Sequence, residues 1–163
     1  MMKLSHFLLV IMLWTMSAPC ALSAPTPLEM ENIRGQVRQA FKEFIQLWRT
    51  ERYFELYDYG TEQSRKKLTL EEYATRMVEL NWVPVGDLKD EEMELSFVFR
   101  TMLYVNVPLE FKHKSNQSLQ FKKKQAFLLM LENNKWRFDL LQMIRSPFYT
   151  PEKPSREDPS KPQ

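Results

Sequence analysis

Cysteine, histidine and glycine are scarce in this chain, and each scarcity closes off a class of chemistry. Its 163 residues include one cysteine, two histidines and three glycines. Cys20 lies in what reads as a targeting segment, so the mature chain is expected to hold neither a disulfide nor a cysteine metal site. His6 lies in the same segment. His113 then stands alone, which excludes a histidine metal cluster and the zinc-protease helix motif. A Ser-His-Asp triad would have to use His113, and no nucleophile-elbow sequence surrounds any serine. There is no phosphate loop and no dinucleotide fingerprint, so neither metal nor cofactor is expected. An excess of one charge is also missing, with 23 Lys and Arg against 21 Asp and Glu. A nucleic-acid binder would be more basic, and nucleic acid is not an expected partner.

What is present is a globular balance of 44% apolar and 27% charged residues, in a length that suits one domain. The first residues read as a signal peptide over 1–23. Lys3 is followed by an apolar run from Leu4 to Met16, then by small residues to Ala24. The run is short for a permanent span, and cleavage after Ser23 leaves Ala21 and Ser23 at the small-residue positions. The alternatives are cleavage after Ala24 and an uncleaved anchor. Cys20 is also a candidate lipid acceptor, a membrane tether, although Ser17-Ala18-Pro19-Cys20 lacks the usual leucine three residues earlier. An exported protein of the periplasm or cell envelope, or a secreted one, is expected.

The spacing of Met30, Ile33, Val37, Phe41, Phe44 and Trp48 predicts an amphipathic helix beginning near Met30. Tyr53 to Tyr59 reads as a shorter helix ended by Gly60. Thr69 and Glu72 form a capping box, and Leu68 and Tyr73 a hydrophobic staple, for a helix running to about Leu80. Pro84 and Gly86 end the helical half. The period then changes to two. Strands are expected over Met93–Phe99, from Val105 to His113, over Leu119–Leu131 and over Trp136–Ile144, in an antiparallel meander. Pro108 puts its strand at an edge or a bulge. Five of the ten prolines fall between Pro147 and Gln163, so 147–163 reads as a disordered tail.

Helices followed by a meander predict an α+β fold, with three N-terminal helices packed on a curved antiparallel sheet. Two stretches carry a family resemblance. The first runs from Phe44 through Trp48, Arg52-Tyr53-Phe54-Glu55-Leu56-Tyr57-Asp58 and Ser64 to Tyr73; the second is Asn134-Lys135-Trp136-Arg137-Phe138-Asp139-Leu140. Together they resemble NTF2-like domains. The similarity is greatest to the secreted type found at the N-terminus of some penicillin-binding proteins and in small envelope proteins. It covers about residues 30 to 145, within an expected domain of 28–146. It implies a cone-shaped α+β fold, often dimeric, with a pocket between helices and sheet. No transpeptidase domain follows in this sequence, and no enzymatic role is carried over.

Enzymes resembling this fold, such as ketosteroid isomerases, use pocket acids and tyrosines. Asp58, between Tyr57 and Tyr59, is the best candidate acid, and burial against aromatics would raise its pKa; otherwise it is a solvent-facing residue or a turn cap. His113 is a candidate base or a half-exposed residue beside Lys112 and Lys114. Tyr53, Tyr57, Tyr73 and Trp82 either line a ligand pocket or are core. Glu110 and Asp139 alternate outward and carry no claim. The lysines at 112, 114, 122, 123 and 124 form either a basic contact surface or a solvated hairpin that discourages edge pairing. Asn116-Gln117-Ser118 matches a glycosylation acceptor. Leu141 and Met143, opposite Trp136, Phe138 and Leu140 on a strand, would make one face a docking or homodimer surface. The leading expectation is a non-catalytic domain binding a small apolar ligand or an envelope protein. The alternatives are a small acid/base enzyme of isomerase, cyclase or dehydratase type, and a structural docking module.

Overall fold

Helix α1 (Pro27–Arg49) begins three residues ahead of the Met30 where its apolar period starts. Thr26 caps it: its hydroxyl accepts the Glu29 N–H at 3.2 Å, and the Glu29 carboxylate accepts the Thr26 N–H at 2.8 Å. Pro27 occupies the first helical position, where its missing N–H removes no bond. The computed structural model describes residues 26–145. The signal segment 1–23, Cys20 and the tail 147–163 lie outside the described residues.

α1 ends in a Schellman turn, with the Arg52 N–H bonded to Leu47 O and the Glu51 N–H to Trp48 O. Glu51 takes the left-handed position, at φ 56°, where glycine is usual. Its carboxylate compensates by receiving the Tyr53 hydroxyl and the Lys114 ammonium, each at 3.1 Å. Three shorter helices follow: α2 (Tyr53–Asp58), α3 (Glu62–Lys67) and α4 (Leu70–Glu79). α4 carries the expected capping box at Thr69 and Glu72, and both staple residues, Leu68 and Tyr73, are buried. Sequence periodicity missed α3 because its apolar content is nil; Thr61 starts it by accepting the Ser64 N–H at 3.1 Å.

Strands β1 (Trp82–Val85), β2 (Glu94–Phe99), β3 (Met102–His113), β4 (Gln120–Glu132) and β5 (Lys135–Phe138) form one antiparallel sheet in the order β1-β3-β4-β5, with β2 also paired to β3. The sheet is strongly curled, and the fold is α+β. β1 was not anticipated, since Pro84 reads as a terminator. It tolerates the proline by lying at an edge, where Pro84 pairs with Phe111 of β3. β1 and β2 share one side of β3, taking residues 110–113 and 102–106. Pro108 falls in the interval between them, so its edge character is local, within an otherwise central strand.

Asn133 and Asn134, at φ 50° and 59°, form the two-residue turn between β4 and β5. Asparagine tolerates this left-handed geometry, which matches strand twist. Beyond Phe138 the expected strand through Ile144 is instead helix α5 (Leu140–Arg145). Asp139 is the reason: its carboxylate accepts the Leu141 N–H at 3.0 Å and starts a helix. Leu140, Met143 and Ile144 satisfy a helical period as well as alternation could. The proposed two-faced strand therefore does not exist. Met143 is buried and receives the Tyr73 hydroxyl on its sulfur, while Leu141 is half-buried on α5. Gln142 then closes the edge of β4, accepting the Leu128 N–H and donating to Ala126 O, each at 3.1 Å.

The core lies between α1 and the concave face. Phe44 stacks on Phe138 of β5 with centroids 3.7 Å apart, Phe41 meets Phe127 of β4 edge-on at 5.2 Å, and Trp48 meets Phe111 of β3 at 5.7 Å. Two polar joints seat the short helices. Ser64 bridges Thr61 (2.8 Å) and the Asp139 carboxylate (3.0 Å), tying the start of α3 to the start of α5. The Lys114 ammonium meets the Tyr53 hydroxyl at 2.8 Å and Met77 O at 3.3 Å, where it caps the C-terminal end of α4.

Gly60 ends α2's neighbourhood for a different reason than expected. It is needed for a close approach, since a Cβ there would lie 2.7 Å from the Leu140 Cγ and closer still to Cδ1. The chain here runs beside β5, with the Thr61 N–H on Phe138 O and the Phe138 N–H on Tyr59 O. Gly60→Ala is expected to destabilise the fold by about 1–3 kcal/mol in urea unfolding, and by much less in a Leu140→Ala background. Equal losses in both backgrounds would rule out the steric cause.

Candidate functional site

The polar side of α1 carries Gln36, Gln39, Glu43 and Gln46 at steps of three and four, which aligns them on one stripe. The stripe forms one wall of an open trough. Toward the β4–β5 turn it is a cleft of about 560 Å³, closed by Asp58 and Tyr59 at the end of α2 and by Trp136 and Arg137 of β5. Toward the C-terminal end of α1 it widens into a second hollow of about 650 Å³, which shares Gln39, Glu43, Asp58 and Tyr59. Both lie within the size range of small-molecule sites, about 300–1,000 Å³.

Tyr59 and Glu43 form the ridge between the two hollows. The Tyr59 hydroxyl donates to Glu43 Oε2 at 2.8 Å, and the Gln39 amide donates to Glu43 Oε1 at 2.8 Å. Burial, then the Glu43 hydrogen bond and charge, push the Tyr59 phenol up to about 12. Arg137 donates through Nη1 to the Asp58 carbonyl and so ties β5 to the end of α2. The Trp136 indole N–H is buried with no hydrogen-bond partner among the described residues, an exception that calls for an explanation. The Asp58 side chain is exposed to the trough and makes no hydrogen bond or ion pair among the described residues.

The other sequence candidates are dispersed. Asp58 lines the trough, but it is exposed, without the burial against aromatics that acid/base work would need. His113 is half-buried at the β3–β4 turn. Its Nδ1 accepts the Asn116 N–H at 3.2 Å, and its ring meets Trp82 edge-on at 4.9 Å. Tyr57 donates to Leu68 O at 2.7 Å and packs on Tyr73, with centroids 5.8 Å apart. Tyr53 is held by Glu51 and Lys114, while Trp82 packs on Phe121 at 4.8 Å. These rings join helices to one another and β1 to β4, each phenol engaged. Among the basic residues, Lys124 pairs with Glu94 at 2.8 Å and Lys112 bonds Gln117 at 3.1 Å. Glu110 is exposed, and Asp139 holds α3 and α5 together. Among the described residues no group of three or more His, Cys, Asp and Glu side chains could hold a metal.

Sequence reasoning missed Tyr59, Glu43, Trp136 and Arg137 as neighbours. The signal that could have found them is the glutamine stripe on α1, where a solvated helix face ordinarily carries lysine and glutamate. No protein-family profile matches the chain, and no curated protein matches it in sequence.

A phenol held up near 12 stays protonated in the folded state where a free one ionises. Its stabilising contribution is therefore intact below pH 10 and lost as pH rises toward 12. In alkaline titration by phenolate absorbance, Tyr59→Phe should remove a phenol ionising near 12, and Glu43→Gln should lower that value part of the way toward 10. An ordinary titration near 10 for Tyr59 would refute the Glu43 contact.

Proposed function

We propose that this chain is an exported NTF2-like binding module that holds its ligand in the trough along α1. The observation that carries the reading is an open hollow of about 560 Å³ lined by the side-chain amides of Gln36, Gln39 and Asn134 and by the exposed Asp58, beside Tyr59 and Arg137. The fold supports the family part of the reading: short helices and one long helix pack on the concave face of a curled sheet, as the resemblance implies. Export rests on the N-terminal sequence alone.

The mode of binding differs from apolar complementarity between helix and sheet. Phe41, Phe44, Trp48 and Phe138 occupy that space and are at most 1% exposed. The ligand is received on the opposite, polar flank of α1. The buried polar residues among those described are Thr61, Ser64 and Gln125, none of them an acid or base of the trough, and this favours binding over acid/base turnover.

Native mass spectrometry of the protein recovered from its host's envelope fraction tests the reading. The expected spectrum shows added mass that leaves on denaturation and that is missing from an Arg137→Ala, Gln39→Ala double variant. The denatured mass is expected to correspond to cleavage after Ser23. Bare protein from both forms, or a mass gain that survives the double variant, would overturn the trough as the site.

A further inference from the structure

The trough's chemistry narrows the class of ligand. Two acids of the first hollow, Glu43 and Asp58, are matched by two bases, Lys135 and Arg137. Lys42 and Glu55 of the second hollow are paired with groups outside it, Asp90 at 2.7 Å and Arg52. The walls thus offer little net field to an ion. They offer instead planar groups that both donate and accept, the amides of Gln36, Gln39 and Asn134, with Asp58 and Arg137 in the same lining. Between them lie apolar surfaces at Ala40, Tyr59 and Trp136. Hydroxyl groups are the ligand atoms that use donors and acceptors at once, and the C–H face of a sugar ring suits an aromatic or methyl surface.

The trough is also elongated. From Gln36 to Leu47 it follows twelve residues of α1, or about 16 Å over eleven rises of 1.5 Å. An extended peptide would be the other neutral polymer of that length. Peptides in extended form are read by unpaired strand edges, and here β5 is already paired at Phe138 by the chain at Tyr59–Thr61, while α1 satisfies its own backbone. The wall along α1 is made of side chains alone.

Resting on the binding reading above, we propose that the trough takes a neutral, hydroxyl-rich chain, an oligosaccharide, laid along the Gln36–Gln46 stripe of α1 against Tyr59 and Trp136. Its ring faces rest on Tyr59 and Ala40, and its hydroxyls bridge the Asp58 carboxylate and the Arg137 guanidinium. With its acids and bases matched, the trough gives an acidic glycan or a nucleic acid no electrostatic advantage over a neutral chain.

The test is titration of the folded protein with three neutral saccharides, chitotetraose, cellotetraose and maltotetraose, followed by amide NMR. At least one is expected to saturate below about 10 mM, moving the amides of Gln39, Glu43, Tyr59 and Arg137, with an affinity unchanged by added salt. Asp58→Asn should weaken binding about tenfold by removing a charge-assisted hydrogen bond, and as a surface change it should leave the fold intact. No saturation with any of the three overturns the proposal, as does saturation by a neutral Gly-Ser octapeptide in their place. Nile red distinguishes the two levels. If it binds at Tyr59 and Trp136 while the saccharides do not, the trough remains a binding site and the glycan assignment falls; if neither binds, both fall.

Discussion

Everything else among the described residues is arranged around one long helix lying across a concave sheet through packed aromatic rings. Phe44 on Phe138, Phe41 on Phe127 and Trp48 on Phe111 connect a single face of α1 to β5, β4 and β3. Aromatic side chains are large enough to bridge a curled sheet without backbone contact, and each buries on the order of 150–250 Å². The sheet curls because its strands twist and the helix rewards the curl with contact. The same packing decides which flank of α1 stays open. With rings filling the concavity, the polar flank of α1 is left as the surface that meets the ends of α2 and β5.

The short helices depend on this frame. α2 and α3, six residues each, are too brief to persist alone. They are held by joints that are polar at the centre and apolar around it. Ser64 links Thr61 to Asp139, and Lys114 links Tyr53, Glu51 and the end of α4. A buried or half-buried polar joint is directional, so it fixes how an element sits as well as that it sits. Tyr59 emerges from one such fixed segment, which is why it meets Glu43 across the trough.

Much of the architecture was legible in the residues. The period of Phe41, Phe44 and Trp48, the Thr69–Glu72 box and the alternation from Val105 to Phe111 all point to the elements observed. Elements were lost where a local signal has two meanings. Pro84 reads as a breaker, yet it sits in an edge strand. Asp139 reads as an outward strand residue and is a helix cap, which turned an imagined apolar face into α5. The site was less visible still. Tyr59 and Glu43 are brought together by tertiary packing between separate helices, and no spacing in one segment encodes that meeting. Asp58 was found because it lies among tyrosines, although its exposure gives it a different part from the one its neighbours suggest.

Pro108 has a further bearing on shape. The strand it occupies is flanked on one side by two different partners, β2 below and β1 above, with no strand among the described residues between them at 107–109. A dressmaker makes flat cloth hold a rounded form by taking a dart, removing a little material along one line. The interval at Pro108 does the same for the pleated surface. Each neighbouring strand can follow its own twist, free of the other, and the ladder to β4 runs unbroken behind them. A proline suits that spot because no amide is needed there, and its ring discourages any outside chain from filling the opening. The hollow of the sheet is therefore as much a product of one missing hydrogen-bonding partner as of the many that are present.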